Sequence, residues 1–165
     1  MKKWIALALM LLVGVSAWAD TITGKVIAVT DGDTIRVLDA QNVQYKVRLA
    51  GIDAPESKQA YGARSKQSLS GLVFGKTVTV EFSKHDRYGR VVGKVLYEKA
   101  DMDLQQVEVG LAWHYKQYAK EQSASDRGLY AAAEDRAKAA HLGLWHDLNP
   151  VPPWEWRRRS KAGLH

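Results

Sequence analysis

Short segments in which apolar and polar residues alternate fill the first half of the chain, and they constrain the fold more than any other feature. In residues 43–49 every second residue is apolar, which predicts a strand with Arg48 on its polar face. The same criteria predict four more strands, at residues 21–30, 33–37, 77–82 and 90–97. Turn-forming residues separate them at 31–32, 39–42 and 85–89.

The rest of the chain favours helices. Apolar residues recur near helical spacing in residues 61–74, 104–110 and 122–142. For the last of these, Ser125 is the predicted N-cap and Gly143 the predicted C′ residue. Five short strands with a helix after the third and helices at the end predict an α+β fold, namely a small antiparallel five-stranded OB-fold β-barrel packed with about three α-helices.

Residues 1–19 have the features of an export signal. A short basic start precedes an apolar run at residues 4–15, and Ala17-Trp18-Ala19 matches a cleavage site. A transmembrane anchor is the alternative, but the run is shorter than the roughly 20 residues that a span needs. We therefore expect cleavage before Asp20 and export to the periplasm or the medium, with no stable membrane association afterwards. The predicted organisation is a signal peptide at 1–19, one domain at 20–149 and a tail rich in Pro, Trp and Arg at 150–165.

Composition excludes several kinds of site. The chain has no Cys, so disulfides, thiolate zinc sites and cysteine nucleophiles are impossible, and any metal must be held by oxygen or imidazole. The 24 Lys and Arg residues outnumber the 18 Asp and Glu residues, giving a formal net charge of +6. This excess favours polyanionic partners, either nucleic acid or anionic lipid.

Acidic residues are expected to gather at one end of the sheet. If residues 33–37 pair with residues 43–49, Asp33 and the loop that carries Asp53 and Glu56 meet there. Carboxylates without cysteine suit Ca²⁺ or Mg²⁺, although an Asp-Gly-Asp motif alone is more often a hairpin turn. Arginines such as Arg48 and Arg90 can stabilise a reacting phosphodiester, although exposed strand arginines are usually only solubilising.

Three segments together resemble the thermonuclease family, whose members are similar to staphylococcal nuclease. They are Val-Thr-Asp-Gly-Asp-Thr at 29–34, Val-Arg-Leu-Ala-Gly-Ile-Asp-Ala-Pro-Glu at 47–56 and Asp-Arg-Tyr-Gly-Arg at 86–90. Their order and spacing are more specific than any one segment. The resemblance implies an OB-fold nuclease that uses Ca²⁺ to hydrolyse DNA and RNA to 3′-phosphorylated products. We also expect a monomer, because no apolar repeat in the sequence suggests an assembly.

The resemblance also implies roles for individual residues at the reacting phosphate. Asp33 and Asp53 match the carboxylate ligands of the calcium ion, and the carbonyl of Ala54 matches a main-chain ligand where many relatives have Thr. Asp31 matches an acid close to the metal. Glu56 matches the residue that positions or deprotonates the attacking water.

Other matching residues would contact the substrate. Arg48 and Arg90 match the two arginines that bind the scissile phosphate. Arg87 and Tyr88 match the region near a terminal phosphate, and Tyr115 is assigned to the substrate-binding set. Base stacking is expected from Tyr115 or Trp113, with core packing as the alternative for either residue.

The C-terminal tail leaves its role open. Residues 154–159 combine tryptophans with arginines after three prolines, which predicts an extended segment that binds nucleic acid, packs its tryptophans on the barrel, or is simply solvated.

Two other functions remain for the whole chain: an OB-fold protein that binds nucleic acid without cutting it, and an envelope protein anchored by an uncleaved N-terminus.

Overall fold

Eight strands and four α-helices make up residues 20–163, the part of the chain that the computed structural model describes. The predicted signal peptide lies outside the described residues. The strands are β1 (Asp20–Asp31), β2 (Thr34–Asp39), β3 (Gln44–Leu49), β4 (Ile52–Asp53), β5 (Thr77–His85), β6 (Val91–Tyr97), β7 (Ala100–Asp101) and β8 (Trp113–His114). The α-helices are α1 (Gly62–Val73), α2 (Met102–Glu108), α3 (Ala124–Ala139) and α4 (Pro153–Lys161), and two 3₁₀ helices span Lys116–Glu121 and Gly143–His146.

The five longer strands close into a barrel. Their order is β3-β2-β1-β5-β6, with every neighbouring pair antiparallel, and a further pairing of β3 with β6 completes the circle. This last pair is parallel, so the prediction of a purely antiparallel barrel is wrong at one position. The reason is geometric: when an odd number of strands alternate in direction around a ring, the two that meet must point the same way. The fold is α+β, a five-stranded mixed barrel with helices, as expected for an OB-fold.

The five predicted strands are confirmed, with small differences at their ends. The β2–β3 turn forms where expected because the Asp39 carboxylate accepts the N–H groups of Gln41 at 2.9 Å and Val43 at 2.8 Å. Asn42 takes the left-handed conformation, φ 60°, that this turn requires. Arg90 lies one residue before β6 rather than inside it.

The inward faces of the strands form one apolar core. Burying each such valine, isoleucine or leucine stabilises the fold by roughly 1.5–3 kcal/mol. The helices α1, α2 and α3 cover this core, so the barrel supports them and they support its loops. Fully buried members include Val26, Ile35, Val37, Val47, Val80, Val95 and Leu69.

Two predicted helix ends are wrong. The N-cap of α3 is Ser123, whose Oγ accepts the Asp126 N–H at 3.0 Å, and Ser125 lies inside the first turn. At the other end His141, with φ 53°, makes the left-handed turn that was expected of Gly143. Gly143 instead begins a 3₁₀ helix that packs against Gly110, and Leu144 N–H donates to the Gly110 carbonyl at 2.8 Å.

The extended conformation predicted for residues 154–159 is also wrong, because this segment is the helix α4. Pro153 suits the start of this helix, because a backbone N–H in the first turn has no carbonyl acceptor within the helix and proline lacks that N–H. Arginine and lysine in the last turn complement the negative end of the helix. Across residues 20–163 we find no helix with the length and apolar character needed to cross a bilayer.

Candidate functional site

A buried glutamine holds the β1–β2 turn, which carries the Asp-Gly-Asp motif. The fully buried amide of Gln106 in α2 donates to the carbonyl oxygens of Gly32 at 2.9 Å and Ser65 at 3.0 Å. Gly32 lies so close to α1 that a Cβ there would be 1.8 Å from the Ser65 Oγ. The turn therefore excludes a side chain at residue 32, and its two aspartates are fixed relative to α1 and α2.

Three of the predicted site residues meet at the end of β3. The pairing of β2 with β3 sets Thr34 opposite Arg48. The Nη2 of Arg48 lies 3.2 Å from Asp33 Oδ2 and 2.9 Å from Asp53 Oδ1. Asp33 Oδ2 also accepts the Ala54 N–H at 2.7 Å. The predicted meeting of Asp33 with the Asp53 loop is confirmed, and Arg48 bridges the two carboxylates.

Burial perturbs the ionisation of this cluster. Burial, with the nearby charge of Asp33, raises the pKa of Asp31 to about 7. Burial also raises the pKa of Asp53 above 3.8, against the opposing influence of Arg157 and Arg48. For Arg48, burial acts to lower the pKa, but the charges of Asp33 and Asp53 outweigh it and raise the pKa. Burial is thus the largest influence on the ionisation of both Asp31 and Asp53.

Glu56 lies on the loop between β4 and α1, and main-chain contacts fix the loop. Its carbonyl accepts the Gln59 N–H at 2.8 Å, and its N–H donates to Gln59 Oε1 at 3.2 Å. Gly62 packs against it, so that a Cβ at residue 62 would be 2.0 Å from the Glu56 carbonyl oxygen. Gln59 Nε2 also donates to the Val151 carbonyl at 2.6 Å, tying the loop to the segment before α4. The Glu56 side chain itself is 39% exposed and lines a cleft.

Arg157 of α4 joins this cluster, which the sequence analysis missed. Its Nη2 lies 2.8 Å from Asp53 Oδ2, and its Nη1 donates to Asp53 Oδ1 at 3.2 Å and to Glu56 Oε1 at 2.8 Å. Burial acts to lower the pKa of Arg157, but the hydrogen bonds and charges of both carboxylates raise it. The usable signal was the spacing of Trp154 and Arg157, which places both on one face of a helix begun by Pro153.

The loop between β5 and β6 lines the same cleft as Glu56. Arg90 Nε lies 2.7 Å from Asp86 Oδ2, and Asp86 Oδ1 accepts the Tyr88 N–H at 2.8 Å. The guanidinium carbons of Arg87 and Arg90 lie 4.9 and 5.6 Å from the centre of the Tyr88 ring. These residues line the same cleft as Arg48, but within residues 20–163 the structure shows no hydrogen bond or ion pair between them and Asp33 or Asp53.

The structure separates the two aromatic candidates for base stacking. Trp113 packs with Trp145 in a small apolar cluster, at 4.3 Å between ring centres, which is the core position. Tyr115 lines the cleft and stacks on Trp154 of α4, with ring centres 5.4 Å apart and planes at 19°. Of the two, Tyr115 is therefore the one available to a ligand in the cleft.

Together these residues line one cleft of about 1090 Å³. The residues that line it include Asp31, Asp33, Arg48, Asp53, Glu56, Arg90, Tyr115 and Arg157. Within residues 20–163 no three Asp, Glu or His side chains are arranged as a complete metal site. The carboxylates of Asp33 and Asp53 are the oxygen donors that Arg48 brings together here, and carboxylate oxygen is a donor that hard cations prefer.

Comparison with known proteins identifies the family. The family described as staphylococcal nuclease homologue matches residues 46–147, which is more than half of the chain. The chain belongs to the staphylococcal nuclease family. An uncharacterized endonuclease of Haemophilus influenzae is 42% identical over 142 residues, 86% of this chain and 76% of its own length. A micrococcal nuclease of Shigella flexneri is 42% identical over 95% of this chain and 92% of its own length.

Family membership confirms the predicted resemblance and gives the class of enzyme, a staphylococcal-nuclease-like endonuclease. The matched residues include Arg48, Asp53, Glu56 and Arg90. The helix α4, with Arg157, lies after the matched region. The contribution of α4 to the cleft is therefore not part of the family match.

Proposed function

We propose that this chain is a calcium-dependent nuclease that hydrolyses phosphodiester bonds of DNA and RNA and leaves 3′-phosphorylated products. One observation supports this most: Arg48 bridges Asp33 and Asp53 at 3.2 and 2.9 Å, with Glu56 on the same cleft. This arrangement combines oxygen donors for a cation, donors for a phosphate and a carboxylate for a water molecule.

The oxygen donors fit calcium. Asp33 and Asp53 would hold the ion with the carbonyl of Ala54, since hard cations prefer carboxylate and carbonyl oxygen. Both carboxylates contact Arg48 Nη2, at 3.2 and 2.9 Å, so their oxygens converge on one place. Bound calcium would supply a Lewis acid that polarises the phosphate and helps to neutralise the charge that develops on it.

The protein's own residues supply the remaining chemistry. Glu56 accepts a proton from the attacking water or orients that water toward phosphorus, and the leaving group is the 5′-oxygen. Arg48 and Arg90 donate to the non-bridging oxygens as their negative charge grows, which lowers the barrier more than it stabilises bound substrate. Arg48 is fixed for this by two main-chain carbonyls, which accept from Nη1 at 2.8 and 2.9 Å.

The substrate's other groups have partners along the walls. Arg87 and Tyr88 would contact a neighbouring phosphate, and Tyr115 would stack on a base. Lysines and arginines outnumber the acids in the chain by six, which favours the approach of a polyanion.

The setting of this activity is also part of the proposal. Cleavage after residue 19 would release a monomeric protein from residue 20 onward into the periplasm or the medium. Residues 20–149 would form the nuclease domain, followed by the segment at 150–165. Analysis of the N-terminal residue and of the native mass of the exported protein tests this part.

The activity is tested by cleavage of single-stranded DNA and of RNA by the purified protein, with Ca²⁺ and with a chelator. We expect degradation only with Ca²⁺, products that carry 3′-phosphate, and a rate lower by 10²-fold or more, on the order of general-base loss, in Glu56→Gln. If the protein binds DNA in a salt-sensitive way and cuts nothing, it is a non-catalytic OB-fold binding protein and the proposal fails.

A further inference from the structure

The helix α4 brings a third arginine to the proposed catalytic carboxylates. Arg157 donates to both oxygens of Asp53, at 2.8 and 3.2 Å, and to Glu56 Oε1 at 2.8 Å. A planar guanidinium can bridge two carboxylates in this way, whereas an ammonium group is a single point of charge. One side chain thus sets the distance and the relative orientation of the two acids.

Glu56 depends on this contact more than Asp53 does. Asp53 is also fixed by Arg48, at 2.9 Å, and is 1% exposed. The Glu56 side chain is 39% exposed, and Arg157 is the hydrogen-bond partner that the structure gives its carboxylate within residues 20–163. With Oε1 held by Arg157, Oε2 has no hydrogen-bond partner among residues 20–163, and Glu56 lines the cleft, so a water molecule could bind to Oε2 there.

The base of α4 is well anchored. Pro153 is buried, and Trp154 stacks on Tyr115 and packs edge-on against Trp113 at 5.6 Å. The Val151 carbonyl accepts from Gln59 Nε2 at 2.6 Å, in the loop that carries Glu56. Arg157 lies one turn after Trp154, so this anchor aims it at the cleft.

We propose that Arg157 is a positioning residue for the nuclease reaction, which orients the Glu56 carboxylate toward the attacking water and holds Glu56 and Asp53 in a fixed relation. The inference rests on the proposed function, because it assigns Glu56 the water. It extends the functional unit beyond the region matched by the family, since the last helix completes the site.

The test compares Arg157→Ala and Arg157→Lys with the wild type by steady-state cleavage of a short fluorogenic single-stranded DNA with Ca²⁺. Arg159→Ala is the matched control, because Arg159 is on the same helix and pairs with Glu155 at 3.2 Å. We expect the kcat of Arg157→Ala to fall by roughly 10–100-fold, the usual effect of losing a residue that orients a reactive group, with KM within about twofold. Arg157→Lys should lie between Arg157→Ala and the wild type, and Arg159→Ala should match the wild type.

A chemical rescue distinguishes positioning from the docking of α4. Guanidinium chloride at millimolar concentration should raise the kcat of Arg157→Ala several-fold, whereas equal sodium chloride should not. Thermal unfolding of each variant shows whether α4 remains docked. If the loss of kcat is accompanied by a lowered Tm and guanidinium does not restore kcat, Arg157 serves the docking of α4 and the inference is wrong.

Calcium binding, measured by titration calorimetry without substrate, separates positioning from obstruction. If Arg157→Ala binds Ca²⁺ at least tenfold more tightly and cleaves as fast as the wild type or faster, Arg157 occupies the place of the metal and the inference is overturned. The proposed function itself is refuted if the wild-type protein does not cleave DNA. It is also refuted if the wild type cleaves and Glu56→Gln cleaves equally fast. An active wild type with an impaired Glu56→Gln and an unimpaired Arg157→Ala refutes only the role of Arg157.

Discussion

Replacing Gln106 by Met should loosen the β1–β2 turn and lower the stability of the whole domain. The Gln106 side chain is fully buried, donates to Gly32 and Ser65 carbonyl oxygens at 2.9 and 3.0 Å, and accepts from Ser68 Oγ at 2.6 Å. Methionine has a similar volume, so packing changes little and the polar contacts are what is lost.

The magnitude follows from which partners stay buried. The Gly32 carbonyl loses its side-chain donor in the interior, which costs about 1–3 kcal/mol for an unsatisfied group. The two other hydrogen bonds contribute about 0.5–1.5 kcal/mol each, and the serine hydroxyl can turn to another partner. We expect the free energy of unfolding to fall by roughly 3 kcal/mol, which lowers Tm by about 6–12 °C for a domain of this size.

Urea denaturation and thermal unfolding measure this directly. The matched control is Gln105→Met, because Gln105 precedes it on α2 and is only partly buried. If Gln106→Met changes the free energy of unfolding by less than about 0.5 kcal/mol, or no more than Gln105→Met does, the buried amide does not hold the turn. Cleavage should decline as well, because the turn carries Asp33.

Three further results are expected. Burial acts to raise the pKa of Glu134, but hydrogen bonds from two lysines outweigh it and hold the pKa below 4.5. The ion pairs of Glu134 therefore stabilise the fold at neutral pH, and this stabilisation is lost as the pH falls through the lowered pKa. In Glu134→Gln the free energy of unfolding should therefore be lower by about 2 kcal/mol at pH 7, and the difference from the wild type should be smaller below pH 4. Thermal unfolding at both pH values measures this, and an equal difference at the two would contradict it. Gly62→Ala places a Cβ against the Glu56 carbonyl, so kcat should fall at a temperature at which the variant is still folded. Kinetics and calorimetry on one preparation measure both quantities, and a loss of kcat explained by unfolding would contradict this. Tyr115→Ala should raise KM for single-stranded DNA by about 5–100-fold, the effect of one lost stacking contact, and an unchanged KM would exclude stacking.

Local pattern predicted most of the barrel. The alternation in residues 43–49 and 77–82 correctly located β3 and β5, because a half-buried strand imposes a period of two on its own sequence. The pairing of β2 with β3 followed from a short turn, and with it the meeting of Asp33 and Asp53. Parallel closure between β3 and β6 could not be predicted in the same way, since it joins strands that are distant along the chain.

The missed parts of the site depend on tertiary contacts. Arg157 belongs to a run of three arginines, and only the docking of Trp154 decides which of them faces the acids. Trp113 and Tyr115 could not be separated by sequence, because residues two apart in an extended segment fall on the same face of the alternation pattern. Only the fold shows that β8 ends at His114, with Tyr115 beyond it. The sequence does not distinguish Ser123 from Ser125 as the N-cap of α3, because both serines stand at the start of a helical pattern. The hydrogen bond from the Asp126 N–H to the Ser123 Oγ decides between them.

The parallel contact between β3 and β6 also orders the events of folding. Hairpins such as β2–β3 and β5–β6 join neighbouring segments and close quickly, whereas pairing of β3 with β6 must close the long segment that contains α1 and β5. Arg48 is on one of these strands and Arg90 precedes the other, so the two arginines face the same cleft only when the ring is shut. During refolding, catalytic competence should therefore return with the slowest phase of barrel formation, after most of the secondary structure has already formed.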